Sequence, residues 1–154
     1  MNKLIGVFLM LLLSLLFGCE REKAKLDREV DRLCMIDGGV RVYERVMLSP
    51  DNFGPRGEVF PQYQQLTLSG GRFGPSFTYL FQEIVMVAGN PELVRSESKL
   101  IRNTDRKLLG TFVNYSRRGG DLPGPWQPSA RSCLDALANT QSLESQVFVR
   151  GKQQ

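Results

Sequence analysis

Ser76-Phe77-Thr78-Tyr79-Leu80-Phe81-Gln82-Glu83-Ile84-Val85-Met86-Val87-Ala88 is the longest β-type run in this chain. Phe77, Tyr79, Phe81, Val85 and Val87 share one face of an extended strand, and Leu80, Ile84 and Met86 share the other. Apolar residues on both faces predict a central strand. Gly89-Asn90-Pro91 ends the run with turn chemistry. Leu93 to Arg102 is more polar, with Arg95, Ser96, Glu97, Ser98 and Lys99, and reads as an edge or solvent-facing strand. Thr104-Asp105-Arg106 turns the chain, and Leu109, Thr111, Val113 and Tyr115 alternate along another strand.

Upstream, Val40, Val42, Val46 and Leu48 alternate about Glu44 and predict a half-buried strand after the Asp37-Gly38-Gly39 turn. The pattern Tyr43-x-x-Val46-x-Leu48-Ser49, closing on Phe53-Gly54-Pro55, recurs as Tyr63-x-x-Leu66-x-Leu68-Ser69, closing on Phe73-Gly74-Pro75. The two copies read as similar strand-loop units. A solenoid needs about three repeats, and the sequence has no third copy.

The flanks are helical. Leu26, Val30, Leu33 and Cys34 fall at i, i+4, i+7 and i+8. Ala130, Cys133, Leu134, Leu137 and Ala138 repeat that spacing after Pro128-Ser129, predicting a helix over 130–139. Val147 to Arg150 reads as a last short strand. The fold expected is therefore α+β: an antiparallel sheet of about four to six strands, with an N-terminal helix and a C-terminal helix packed on it.

The N-terminus sets the context. Met1-Asn2-Lys3 precedes an almost wholly apolar run from Leu4 to Phe17, ending in Leu16-Phe17-Gly18-Cys19. At ~14 residues the run is short for a bilayer span and suits a secretory leader. Leu16, Gly18 and Cys19 resemble the lipobox of bacterial lipoproteins; Phe17 departs from the smaller residue usual at its position. The resemblance covers about the first 20 residues. It implies a diacylglyceryl thioether on Cys19, cleavage by signal peptidase II between Gly18 and Cys19, and a freed amine open to acylation, palmitate included. An aspartate after the cysteine often retains such proteins in the inner membrane of Gram-negative bacteria. Glu20 stands there, so the outer membrane, facing the periplasm, is implied for a Gram-negative source. The chain then divides into a signal peptide (1–18), a lipidated tether and short helix (19–36), and one α+β domain (37–154).

Cys34 and Cys133 are the thiols that remain. In an oxidising compartment they are expected to form a disulfide joining the first helix to the last. No Cys-x-x-Cys pair marks a redox site.

Formal net charge is +4, or +3 once Lys3 leaves with the leader (19 basic against 16 acidic residues), and the charges are mixed along the chain. No basic aromatic-interleaved stripe points to nucleic acid. The chain has no histidine, which excludes histidine triads and removes the commonest metal ligand. No cofactor is expected. A carboxylate enzyme stays open as an alternative, with Asp37, Glu44 and Glu83 as candidates; Glu44 and Glu83 each interrupt an apolar strand face, and pairing with arginine is their structural explanation. Phe53, Phe73 and Trp126 are candidates for an exposed binding surface, against the ordinary role of aromatics as packing. The sequence thus points to an envelope lipoprotein with a non-catalytic binding or structural role, its partners being membrane lipid through Cys19 and an envelope protein. An exclusion lipoprotein carried by a phage or mobile element is the other alternative.

Overall fold

The computed structural model describes residues 21–59, 71–73, 76–121, 128–137 and 142–151, with backbone only for 71–73. A first helix, α1, runs through residues 21–37. Strands β1 (Gly39–Val42), β3 (Gly71–Phe73), β4 (Phe77–Val87), β5 (Glu92–Arg102) and β6 (Lys107–Arg118) form an antiparallel sheet in the order β1-β6-β5-β4-β3. A sixth strand, β7 (Ala130–Ser132), pairs with Ser116–Arg118 on the side of β6 that β1 occupies at Gly110–Val113. β2 (Val46–Leu48) and β8 (Phe148–Arg150) make a separate parallel pair, and a 3-10 turn (Pro50–Asn52) and two short helices, α2 (Cys133–Ala136) and α3 (Leu143–Val147), complete the described elements. The fold is α+β, with α1 before the sheet and the short helices α2 and α3 late in the described residues.

Register divides the core. Tyr79 lies opposite Leu100, and Leu100 opposite Gly110; Val113 lies opposite Glu97, on the other side of the pleat. On the first face Phe77, Tyr79, Leu100 and Leu109 pack with Leu143, Val147 and Phe148. The rings of Phe77 and Phe148 meet edge to face, with centroids 4.9 Å apart. Gly110 permits this closeness, since a Cβ there would stand 2.9 Å from both the Arg41 carbonyl oxygen and Leu143 Cδ1. On the second face Val30 and Cys34 of α1 pack with Leu93, Val113, Tyr115 and Cys133. The expected α1 stripe is therefore in place, and the helix is part of the core: Val30 is wholly buried.

Four expectations change. First, β4 and β5 exchange roles. The polar strand β5 is flanked on both sides over nearly its whole length, by β4 and β6. β3 covers β4 only at Phe77–Tyr79, so the rest of β4 pairs on one side alone among the described residues, and Leu80, Ile84, Val85, Met86 and Val87 are 43–51% exposed. β5 tolerates its charges because Glu97 sits between Arg95 (3.2 Å) and Lys99 (3.5 Å) on a half-exposed face, while Leu93, Val94 and Leu100 are buried.

Second, the stretch 40–48 is two strands in two sheets. It breaks at Tyr43-Glu44-Arg45, where the Tyr43 and Glu44 amides both donate to the Leu109 carbonyl (2.8 and 3.0 Å). Third, the helix expected over 130–139 is confined to Cys133–Ala136. β6 recruits Ala130–Ser132 as a strand, and Ser132, not Ser129, caps the helix through a box with Asp135. Fourth, α3 lies between α2 and β8, where no helix is expected. Its sequence mark is Ser142, whose Oγ accepts from the Ser145 amide at 3.3 Å. Of the strand-loop similarity, the second copy lies outside the described residues except for β3.

Candidate functional site

The residues singled out from sequence fall into three separate places. The first is the seam that holds α1. Cys34 and Cys133 form the expected disulfide, with Cα atoms 5.3 Å apart. The Tyr115 amide donates to Cys133 Sγ at 3.2 Å, and the Cys133 amide donates to Asn114 Oδ1 at 3.1 Å. Gly38 follows the helix because a Cβ there would stand 2.7 Å from Cys34 Cα and 2.9 Å from Cys133 Sγ.

Beside the disulfide runs a polar stripe at i, i+4, i+8. Lys23 meets Asp121 at 2.5 Å, Asp27 meets Arg117 at 2.8 Å, and Asp31 meets Arg131 at 2.9 Å. Arg117 is the hub. It is 2% exposed, and beyond Asp27 it donates to the Gly119 carbonyl (2.5 Å) and to the Ser129 carbonyl and hydroxyl (both 2.9 Å). Asp121 accepts from Lys23 and from the Ser129 amide and hydroxyl, which together hold its carboxyl well below the usual range. Sequence reading missed this hub. Its one visible signal is phase, since Arg117 continues the buried series Leu109, Thr111, Val113, Tyr115 by one more step.

The second place is the set of candidate carboxylates. Glu44 accepts from Arg102 and from Lys107, each at 2.5 Å, and those two cations hold its carboxyl below its ordinary value. Arg102 also forks onto Asp105 (3.0 and 2.6 Å). Glu83 takes a fork from Arg118 (3.0 and 2.6 Å), which lowers its pKa in the same way. Asp37 lies 3.9 Å from Arg95. A general acid working near neutrality needs a raised carboxyl pKa, and the shifts at Glu44 and Glu83 run the other way. Nor do the groups converge: Arg102 sits opposite Phe77, and Glu83 lies about 20 Å further along β4 at strand rise. These are arginine-paired acids of a sheet surface. Glu44→Gln is accordingly expected to cost little stability, because solvent screens such an exposed pair. Urea titration of both proteins checks this, and a larger loss would give Glu44 a role the geometry does not.

The third place is aromatic and apolar surface. Phe53 is 8% exposed, packed in the first core cluster with the Arg150 guanidinium 5.5 Å from its ring centroid. It is therefore a core residue and not part of an exposed aromatic patch. The Phe73 side chain and all of Trp126 lie outside the described residues. Among the described residues Met35, Ile36, Tyr43, Met47, Leu80 and Leu134 are exposed apolar side chains, and Ile84–Val87 on β4 is the longest consecutive exposed apolar run. At its end lies a groove of about 520 Å³ between α1 and the β4–β5 connection, lined by Glu22, Lys25, Leu26, Met86, Val87 and Pro91 among others. A smaller cavity of about 230 Å³, bounded by Gly38, Val40, Phe112, Cys133, Leu137 and Gln146, has no charged lining side chain.

Among the described residues no three His, Cys, Asp or Glu side chains are grouped to hold a metal ion, and no helix is long and apolar enough to cross a membrane. Comparison with protein-family models, curated proteins and solved structures finds no match to this chain.

Proposed function

We propose that this chain is a lipid-anchored protein of the bacterial cell envelope, held by acylated Cys19, whose domain acts by binding or structural support without catalysis. One observation carries the reading: an apolar leader closing on Leu16, Gly18 and Cys19. A thiol at that position supplies the nucleophile for the diacylglyceryl group, and glycine before it leaves the backbone open to a peptidase. Several acyl chains on one residue give stable anchoring, since each buried CH₂ contributes about 0.8 kcal/mol. The Cys34–Cys133 pair supports an extracytoplasmic location, where disulfides persist. The carboxylates supply no argument for catalysis, since Glu44 and Glu83 are each held ionised by arginine. With Glu20 after the cysteine, the outer membrane facing the periplasm is the assigned location in a Gram-negative host, and an envelope protein is the partner class.

The test is chemical. Expressed in such a host with a radiolabelled fatty acid, the protein is expected to incorporate label, and Cys19→Ser to lose it. Inhibition of signal peptidase II is expected to accumulate the unprocessed form. An N-terminal peptide whose mass shows an intact leader, or a cleaved terminus with a bare thiol, overturns the reading.

A further inference from the structure

α1 is already helical at residue 21, and it is fastened to the sheet by the disulfide and by Lys23, Asp27 and Asp31. Cys19 precedes Arg21 by two residues, so its Cα lies within about 7 Å of the Arg21 Cα by chain geometry alone. A lipid on Cys19 therefore reaches the domain through no long spacer. What lies near that end of α1 is the groove shared with Met86 and Val87, and the exposed apolar run Ile84–Val87 beside it.

We infer that this end of the domain lies on the phospholipid bilayer that holds Cys19, with Ile84–Val87 set into the boundary between headgroups and acyl chains. The inference rests on the lipoprotein reading above and adds to it an orientation and a second membrane contact. Three observations favour a bilayer over a protein as the occupant. The first is the short covalent reach just described, which keeps acyl chains on Cys19 within a few residues of this end of α1. The second is that both faces of the strand are apolar, with Val85 on one and Ile84 on the other, and both are exposed. Edge-to-edge pairing with another strand covers the backbone edge and leaves those faces in water, whereas an apolar phase takes up both.

The third is charge. Arg21, Lys25 and Arg28 are exposed at i, i+4 and i+7 on α1, and Lys25 lines the groove. Of the neighbouring acids, Asp27 is paired with Arg117 and Asp31 with Arg131; Glu29, which lines the groove beside Lys25, is paired with Arg32, and Glu22 in the same lining has no ion pair among the described contacts. Along this part of α1 three exposed cations outside ion pairs stand against one such acid, and beside an apolar ledge they suit anionic headgroups.

The experiment uses the full, lipidated protein in vesicles of phosphatidylglycerol and phosphatidylcholine, with the phosphatidylcholine brominated high on its acyl chains. Met86→Trp and, separately, Val87→Trp place reporters on the ledge. Met47→Trp is the control: its strand, β2, pairs with β8, whose Phe148 packs on Phe77, about 33 Å along β4 from Val87. The emission added by each new tryptophan over the parent, which has Trp126 alone, is the readout. The added emission at 86 or 87 is expected to be largely lost in brominated vesicles, and that at 47 to be retained. With Cys19 acylation verified by mass, unquenched emission at both 86 and 87 overturns the inference and leaves the lipoprotein reading standing. Quenching at 47 as well overturns the orientation. Emission at 86 that is shielded but unquenched, with cross-linking of two copies in the vesicle, assigns the ledge to a second copy and overturns it too. An unacylated Cys19 removes the lipoprotein reading itself, and this inference with it.

Discussion

Cys34→Ala together with Cys133→Ala is expected to lower stability by about 2–5 kcal/mol, the range for removing a native disulfide from a small exported domain. The bridge spans 99 residues of sequence, and for a loop of about 100 residues the chain-entropy model gives about 4.7 kcal/mol through the unfolded state. Alanine is the substitution of choice because both sulfurs are buried, at 2% and 1% exposure, and a serine hydroxyl there would need a new partner. The loss should not be spread evenly. α1 retains Val30 in the core and its pairs with Arg117 and Arg131, so the helix is expected to stay docked but to open more often. Urea titration measures the global term, and amide hydrogen exchange across residues 21–37 measures the local one. Unchanged urea midpoints for the parent and the double variant would mean that the bridge adds nothing to the folded state.

Arg117→Ala is expected to cost about 3–5 kcal/mol, the range for breaking a buried ion pair by removing one partner. The guanidinium replaces water for Asp27, for the carbonyls of Gly119 and Ser129, and for the Ser129 hydroxyl. Truncation leaves all of these without that donor in a closed site, and unmade hydrogen bonds in such places cost more than made ones contribute. Arg117→Lys keeps the charge but loses the planar fork, so an intermediate loss is expected. The double variant Arg117→Ala with Asp27→Ala separates the pair from the carbonyl contacts. If Asp27 is the main partner, the double variant should be less destabilised than the sum of the two single ones. Denaturation midpoints at neutral pH decide it. A loss below about 1 kcal/mol for Arg117→Ala, the level of a surface pair, would show that the seam is held by packing alone.

These two seams join segments far apart in the chain, and that distance explains what could be read without the structure. The 3.6-residue period of Leu26, Val30, Leu33 and Cys34 identified α1 and the face it buries, because a helix satisfies its backbone locally. The alternation of Leu109 to Tyr115 placed β6 in the same way, and the expectation of Cys133 as partner to Cys34 followed once Cys19 was set aside for the lipid. The expectation of a leader closing on Cys19 likewise rests on adjacent residues alone. Phe53 failed as a surface candidate because an aromatic side chain carries no local sign of which side of a loop it takes.

Everything that depended on a neighbour strand was decided by tertiary structure. A period of two tells which residues share a face; it does not tell whether another strand lies alongside, nor what covers that face. So β4, the most apolar strand, is exposed at Leu80 and over Ile84–Val87, and the charged β5 is enclosed between two strands. The same holds at the last helix, where the edge of β6 drew Ala130–Ser132 out of a helical pattern. Arg117 is buried because Asp27, 90 residues earlier, and Ser129, 12 later, meet it there. Local periodicity marked α1 and β6; pairing and burial, which depend on contacts across the whole chain, settled which surfaces were left exposed.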